Sequence, residues 1–233
     1  MENISIIIFA PKDDKNIKDC IESAKLLTNH IVIIHPNSSF VETVRESGIK
    51  QAKTDWVLIL DADERISEAL AKEIKQLLTI NSSLLTYYKI PRKNIFGQTK
   101  WLKHGGWWPD HQIRLINKKY FVNWPKRIHS TPQINGTFGY LKNPLIHYFH
   151  GDLSNMVKKT IIFEDIESEL LYKAGKKISI KTFFRKFLAE LYRRLIKNLG
   201  FFDGTFGVIE SFYQAFSKTI TYMLLYEKNN KLS

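Results

Sequence analysis

The stretch Asp55-Trp-Val-Leu-Ile-Leu-Asp61-Ala-Asp63-Glu64 constrains the fold of this chain more than any other. Val57 to Leu60 is an unbroken apolar run, the pattern of a strand buried on both faces of a mainly parallel sheet. It runs straight into three carboxylates. In open α/β sheets ligands bind beyond the carboxyl ends of the strands, so Asp61 and Asp63 are expected at a ligand-facing edge. Hard Mg²⁺ or Mn²⁺ takes one or two carboxylates together with phosphate oxygens, and such an ion offsets the charge of a departing diphosphate. Asp-x-Asp spacing also admits a plainer reading, in which the acids only precede and help cap the next helix. Ser67 is a good N-cap for that helix, and Leu70, Ile74, Leu77 and Leu78 form its apolar stripe.

The flanking sequence supports an α/β beginning. Ile4 to Phe9 and Ile31 to Ile34 are β-branched runs, separated by a helical segment from about Lys15 to Leu27 with Ile17, Cys20, Ile21 and Ala24 on one face. Asn37-Ser-Ser39 can cap a second helix before Thr54-Asp55 leads into the acid-bearing strand. Helix-linked parallel strands imply right-handed crossovers and a three-layer sandwich. Beyond Leu78 the pattern changes. Leu84 to Ile90 and Gln112 to Ile116 read as strands, with Gly97, Gly105, Gly106 and Pro109 between them. At 233 residues the chain can bury one sizeable core with a C-terminal appendage. The expected division is 1–150, with a nucleotide-binding half 1–64 and an acceptor half 84–150, followed by a helical extension 151–233.

Thirty-five Lys and Arg against 23 Asp and Glu give a formal charge of +12, which favours an anionic partner: nucleic acid, phospholipid or a phosphorylated glycan. Acids at the expected ligand edge argue against a phosphodiester backbone lying there, so no nucleic acid is expected. A lone cysteine, Cys20, excludes an intramolecular disulfide framework and a Cys-based zinc site, and fits a reducing, cytoplasmic compartment. The apolar run at the N-terminus is too short for a signal peptide or a membrane span and reads as the first strand.

A second chemical cluster lies in His104-Gly-Gly-Trp-Trp-Pro-Asp110-His-Gln-Ile-Arg114. If the strand begins at its end, Asp110, Gln112 and Arg114 share one face, because side chains alternate with period two. A carboxylate there can take a proton from an attacking hydroxyl, and an arginine can hold a phosphate. An Asp110–Arg114 ion pair that merely pins the loop is the alternative. Trp101, Trp107, Trp108 and Trp124 also fall in this half, suited either to stacking on sugars or to core packing. Five of the seven histidines, His104, His111, His129, His147 and His150, cluster here, and one of them is expected as a further ligand to the Asp-x-Asp ion. The segment Lys173 to Lys197 holds nine basic residues and one acid, with Phe184, Phe187, Leu188, Leu191 and Leu195 at helical spacing. That is a basic amphipathic helix, suited to an anionic membrane surface or to packing on protein. A second apolar helix follows, from about Thr205 to Tyr226, interrupted by Glu210, Gln214 and Lys218.

Together these stretches resemble a family 2 glycosyltransferase of the GT-A fold, in particular the branch related to the β-1,4-glucosyltransferases of the lipopolysaccharide inner core. The resemblance covers nearly the whole chain. It rests on Asp55 through Glu64, Arg92-Lys-Asn-Ile-Phe-Gly97, Trp101 through Leu115, Leu145-Ile-His-Tyr148 and Phe201-Phe-Asp-Gly204. It implies an α/β, Rossmann-like three-layer sandwich with C-terminal amphipathic helices. The activity implied is inverting transfer of a glucose-like sugar from a nucleotide diphosphate sugar, a UDP-sugar above all, to a lipid-linked or lipopolysaccharide-core acceptor. The enzyme would be peripheral on the inner face of the cell membrane. By the same resemblance Asp61 and Asp63 correspond to the Mg²⁺ or Mn²⁺ and diphosphate site, joined by His129, and Asp110 to the base. Arg114 and Gln112 assist at the diphosphate or acceptor, while Trp107, Trp108 and His104 face the acceptor. Upstream the chain departs from the family. Ile31 through Ser39 lacks the aspartate that reads uracil, and roughly twenty residues, a helix and a strand, are missing from a region where a βαβ unit needs them. A catalytically degenerate, membrane-associated glycan-binding or scaffold module is the alternative.

Overall fold

The computed structural model describes residues 3–36, 41–80, 85–127, 130–149 and 153–230. Its elements in chain order are β1 (Ile4–Phe9), α1 (Ile17–Ala24), β2 (Ile31–Ile34), α2 (Glu42–Gln51), β3 (Trp56–Asp61), β4 (Glu64–Ile66), α3 (Glu68–Ile80) and β5 (Leu85–Phe96). Next come β6 (Lys100–Trp101), β7 (Asp110–Asn117), β8 (Phe121–Asn123), β9 (Gln133–Ile134), β10 (Thr137–Tyr140) and β11 (Leu145–Phe149). The helices α4 (Leu153–Lys173), α5 (Ile180–Leu191) and α6 (Gly204–Asn230) close the chain. The residues gather into two compact units, one of 1–93 with 109–147 and the other of 94–108 with 148–233.

The first unit is built on a sheet whose strands run in the order β2-β1-β3-β7-β5-β11-β4. β1 pairs in parallel with both β2 and β3, and the sheet turns mixed where β7 joins β3 antiparallel. Alternation along β1 and β3 sorts the core. Ile4, Ile6, Ile8, Leu58 and Leu60 pack on one face against Cys20 and Ala24 of α1 and Leu70 and Ile74 of α3. Ile7, Phe9, Val57 and Ile59 pack on the other against Ile49 of α2 and Trp124. Every side chain from Val57 to Leu60 is buried, as an unbroken apolar run requires when helices cover both faces. The unit is therefore the three-layer α/β sandwich of the GT-A, Rossmann-like kind. Ser67 caps α3, its hydroxyl accepting from Leu70 N at 3.2 Å.

One helix separates β2 from the acid-bearing strand, and β2, half-open at Ile33, is the edge of the sheet. The extra helix and strand that the resemblance would put there do not occur among the described residues. The Asn37–Ser39 cap lies outside them.

The second unit is mainly helical. The basic segment 173–197 proves to be three pieces: the end of α4, then α5 after a break at Gly175, then a π-helical turn at Tyr192–Lys197, whereas in the first unit α1 is shorter than its periodicity suggests. α4, 21 residues long, falls inside the expected helical extension 151–233, though no spacing pattern marked it as a helix of its own. A small core of Phe96, Leu102, Phe149 and Met156, with Trp107 and Tyr213 against it, anchors this unit.

Candidate active site

The acids at the end of β3 do not stand open to solvent as a bare carboxylate cluster; arginines interleave them. Arg45, on α2, donates through Nη2 to Asp61 Oδ1 and Oδ2 at 2.8 and 3.1 Å. Arg114 donates through Nη2 to Asp61 Oδ2 at 2.6 Å and to Glu64 Oε1 at 2.7 Å. Glu64 Oε2 accepts from the Asp61 backbone N at 3.0 Å, closing the turn between β3 and β4. Arg92 lies 3.6 Å from Glu64 Oε1 and holds Asp110 Oδ2 through Nε at 2.8 Å and Nη2 at 2.6 Å. Gln112 Nε2 donates to Asp110 Oδ1 at 2.7 Å. One continuous chain of charge thus runs from Arg45 through Asp61, Arg114, Glu64 and Arg92 to Asp110.

Its electrostatics follow from that geometry. Burial works against ionisation of Asp61, but Arg114 and Arg45 outweigh it and hold the carboxyl well below the usual carboxylate range. Burial likewise disfavours the Arg114 charge, and Asp61 and Glu64 override it, so the guanidinium keeps its proton more tightly than usual. Arg45, with burial as its largest influence, is shifted down. Three arginines face three carboxylates, Asp61, Glu64 and Asp110, so these six charges cancel. Arg45, Glu64 and Arg114 are buried, and charges in that setting persist because each is met by an opposite one at hydrogen-bond distance.

The alternation expected for Asp110, Gln112 and Arg114 is broken by a bulge. Tyr88 of β5 pairs with Leu115 and Lys89 with Ile113, so Arg114 is an extra residue on β7. Bulges re-aim side chains in this way. Arg114 swings to Asp61 and Glu64, while Asp110 stays opposite Arg92 in the ladder. Asp110 and Arg114 are thereby joined to one network through Arg92 and Glu64.

Asp63 faces a different partner. His147 Nε2 is 3.6 Å from Asp63 Oδ1, and His147 pairs with Glu64 between β11 and β4. The histidine beside the Asp-x-Asp acids is thus His147; His129 lies outside the described residues. No group of three or more His, Cys, Asp or Glu side chains stands ready for a metal among the described residues. As donors for a hard ion, Asp63 suits better than Asp61, both of whose oxygens already accept from guanidinium groups.

His104, Trp107 and Trp108 belong to the second unit. His104 Nδ1 and the backbone N of Lys103 and His104 all meet the Asp203 carboxylate, at 3.0, 2.8 and 2.7 Å. Gly105 and Gly106 take positive φ of 67° and 84°, open to glycine and costly for other residues. Gly105 N donates to Asn198 O at 2.8 Å, which ties the loop to the π-helical turn. Trp107 packs on Phe149 at 4.8 Å under the Arg194 guanidinium, and Trp108 meets Trp101 edge-on at 5.4 Å. Both rings are half-buried, and part of their area serves packing.

Three participants were not expected from the sequence, Arg45, Arg92 and Asp203, while His147 is one of the five histidines among which a neighbour of the Asp-x-Asp acids was expected. Arg92, His147 and Asp203 lay inside stretches that carried the family resemblance. Arg45, on a short helix of no clear pattern, gave no signal.

No protein-family model matches the chain. It is similar over 99% of its length to an uncharacterized glycosyltransferase of Rickettsia typhi, at 24% identity and covering 89% of that protein. A counterpart in Rickettsia conorii is 24% identical over 99% of the chain and 92% of its own length, and one in Rickettsia prowazekii 25% identical over 77% of the chain. These relatives support glycosyl transfer as the general activity. The Rickettsia typhi alignment spans 272 positions, more than the chain has residues, so that relative carries inserted segments which this chain lacks.

Proposed function

We propose that this chain is an inverting glycosyltransferase of family 2 that moves a glucose-like sugar from a nucleotide diphosphate sugar, preferentially a UDP-sugar, to a lipid-linked or lipopolysaccharide-core glycan. The reaction would take place at the inner face of the cell membrane. The observation that carries this reading is Asp110, oriented by Arg92 and Gln112 and joined by one charge network to the acids that end β3. Asp110 takes the proton of the acceptor hydroxyl as its oxygen attacks the anomeric carbon. The bond from that carbon to the diphosphate oxygen breaks, the electron pair leaves with the diphosphate, and the configuration inverts. Arg114 acts through Asp61 and Glu64, which it holds in place, and Gln112 through Asp110. Trp107, Trp108 and His104 are assigned to the acceptor, with Asp203 positioning His104. Asp63, with His147 beside it, would hold Mg²⁺ or Mn²⁺ together with phosphate oxygens; when bound, such an ion supplies charge stabilisation to the leaving diphosphate.

A second reading is favoured by the single helix between β2 and β3 and by Asp61 being fully engaged with arginine. In it the chain is a transferase-like glycan-binding module without turnover. Calorimetric titration with UDP and UDP-glucose, each with and without Mn²⁺, separates the two. Metal-dependent binding that disappears in Asp63→Ala is the expected result. Failure of UDP and other nucleoside diphosphates to bind sinks the enzyme reading. Asp110→Asn should lower turnover by about a thousandfold or more while leaving nucleotide binding intact.

A further inference from the structure

The helices of the second unit are built inside out. Along α6 the buried residues are Gly207, Glu210, Ser211, Ala215, Ser217, Thr221, Tyr222 and Leu225, all but the last two small or polar, while Phe206, Ile209, Phe212, Phe216 and Met223 are exposed. A helix solvated by water shows the reverse distribution. Small residues in the contacts and polar side chains bonding across them are what helices use when hydrocarbon meets their outer surface. Here Ser217 and Thr221 both donate to Glu164 of α4, and Tyr213 shares a hydrogen bond with Thr160.

α5 carries the matching surface. Ile180, Phe184, Leu188, Tyr192 and Ile196 recur every fourth residue from α5 into the π-helical turn, and all are exposed, Phe184 at 68% and Leu188 at 59%. Five large apolar side chains in one row on a helix surface make a contiguous apolar patch, and patches of that kind mark interaction sites. Lys181, Arg185 and Lys197 follow directly after members of this row and are exposed as well.

We propose that this face docks on an anionic lipid bilayer, with α5 lying in the plane of the interface, its apolar row among the upper acyl chains and its flanking Lys and Arg on lipid phosphates. No helix among the described residues is long and apolar enough to cross a membrane, which leaves the in-plane arrangement. Charge selects lipid over a second copy of the chain. The segment 173–197 has nine basic residues to one acid, so self-association would set one cationic row against another. Anionic headgroups complement it. The inference deepens the membrane location proposed above and rests on that part of the reading.

The test is flotation of the full chain with vesicles of phosphatidylcholine alone and of phosphatidylcholine mixed with phosphatidylglycerol, at low and high salt. The chain is expected to float with the anionic vesicles, less so in high salt, and hardly at all with the neutral ones. The pair Phe184→Ser and Leu188→Ser, and separately the pair Lys181→Glu and Arg185→Glu, should each weaken binding about tenfold or more, with unchanged circular dichroism. Absence of flotation, or flotation indifferent to both pairs, overturns the proposal. So does a dimer in sedimentation that the serine pair dissolves, if vesicles are not bound. Asp110→Asn should float like the unaltered chain. If nucleotide binding fails while flotation persists, only the transfer reading falls; if transfer to a soluble acceptor persists without flotation, only the docking face falls.

Discussion

Glu64 in the first unit and Glu210 in the second are both fully withdrawn from water, yet their surroundings differ sharply. Glu64 accepts from Arg114, lies against Arg92, and belongs to a network in which Asp61 is held far into its ionised form. Glu210 accepts from the neutral Gln214 amide at 2.8 Å, and burial pushes its carboxyl up to about 7. Withdrawal from solvent alone therefore does not decide whether an acid is charged. The supply of guanidinium groups decides it, and the first unit concentrates three of them on its acids.

Arg114→Met strikes the comparison hardest. It leaves the buried Glu64 with Arg92 alone, at 3.6 Å, and the partly exposed Asp61 with Arg45 alone, and should cost about 3 kcal/mol in denaturant unfolding. A near-native midpoint would mean that the network contributes little to the fold. Gly207→Ala is the corresponding break in the second unit. A Cβ there would fall 2.0 Å from the backbone oxygen of Gly200, which cannot swing aside as a side chain could, so a loss of about 3 kcal/mol is expected.

Glu210→Gln sharpens the comparison through pH. The folded-state value near 7 lies above the ordinary 4.5, so the folded chain retains a proton that the unfolded chain has lost between those values. The stability this contributes is full below about 4.5 and is lost as pH rises through 7. Glu210→Gln should therefore raise the melting temperature at pH 8, by roughly 2 kcal/mol of equivalent stability, and change it little at pH 4.5. A pH-independent difference would show that Glu210 does not titrate there. Phe216→Ser should have the smallest effect, within about 0.5 kcal/mol, because the ring it removes is 54% exposed. A large loss would restore an ordinary inward role for that face.

Much of the first unit was legible in the chain. Val57 to Leu60 announces a doubly covered strand because an apolar run has few other uses, and Ser67 announces its helix because a hydroxyl at that position satisfies a backbone N–H. The site was legible in its acids and less so in its arginines. Asp110 and Gln112 follow from alternation, but Arg45 and Arg92 reach the acids through strand pairing and helix packing between distant parts of the chain. Period-two reasoning could not foresee the extra residue at Arg114, since a bulge leaves no mark on composition. In the second unit, hydrophobic spacing located α5 and most of α6, but it could not say that α6 turns its aromatic residues outward.

The bulge at Arg114 makes β7 sensitive to length in a way its composition does not suggest. Removing the surplus residue would restore a regular ladder with β5 and leave Asp110 opposite Arg92, but it would take away the position from which Arg114 reaches Asp61 and Glu64. The spelling of this strand has no room for one letter fewer, because the surplus letter is the one that carries the cation.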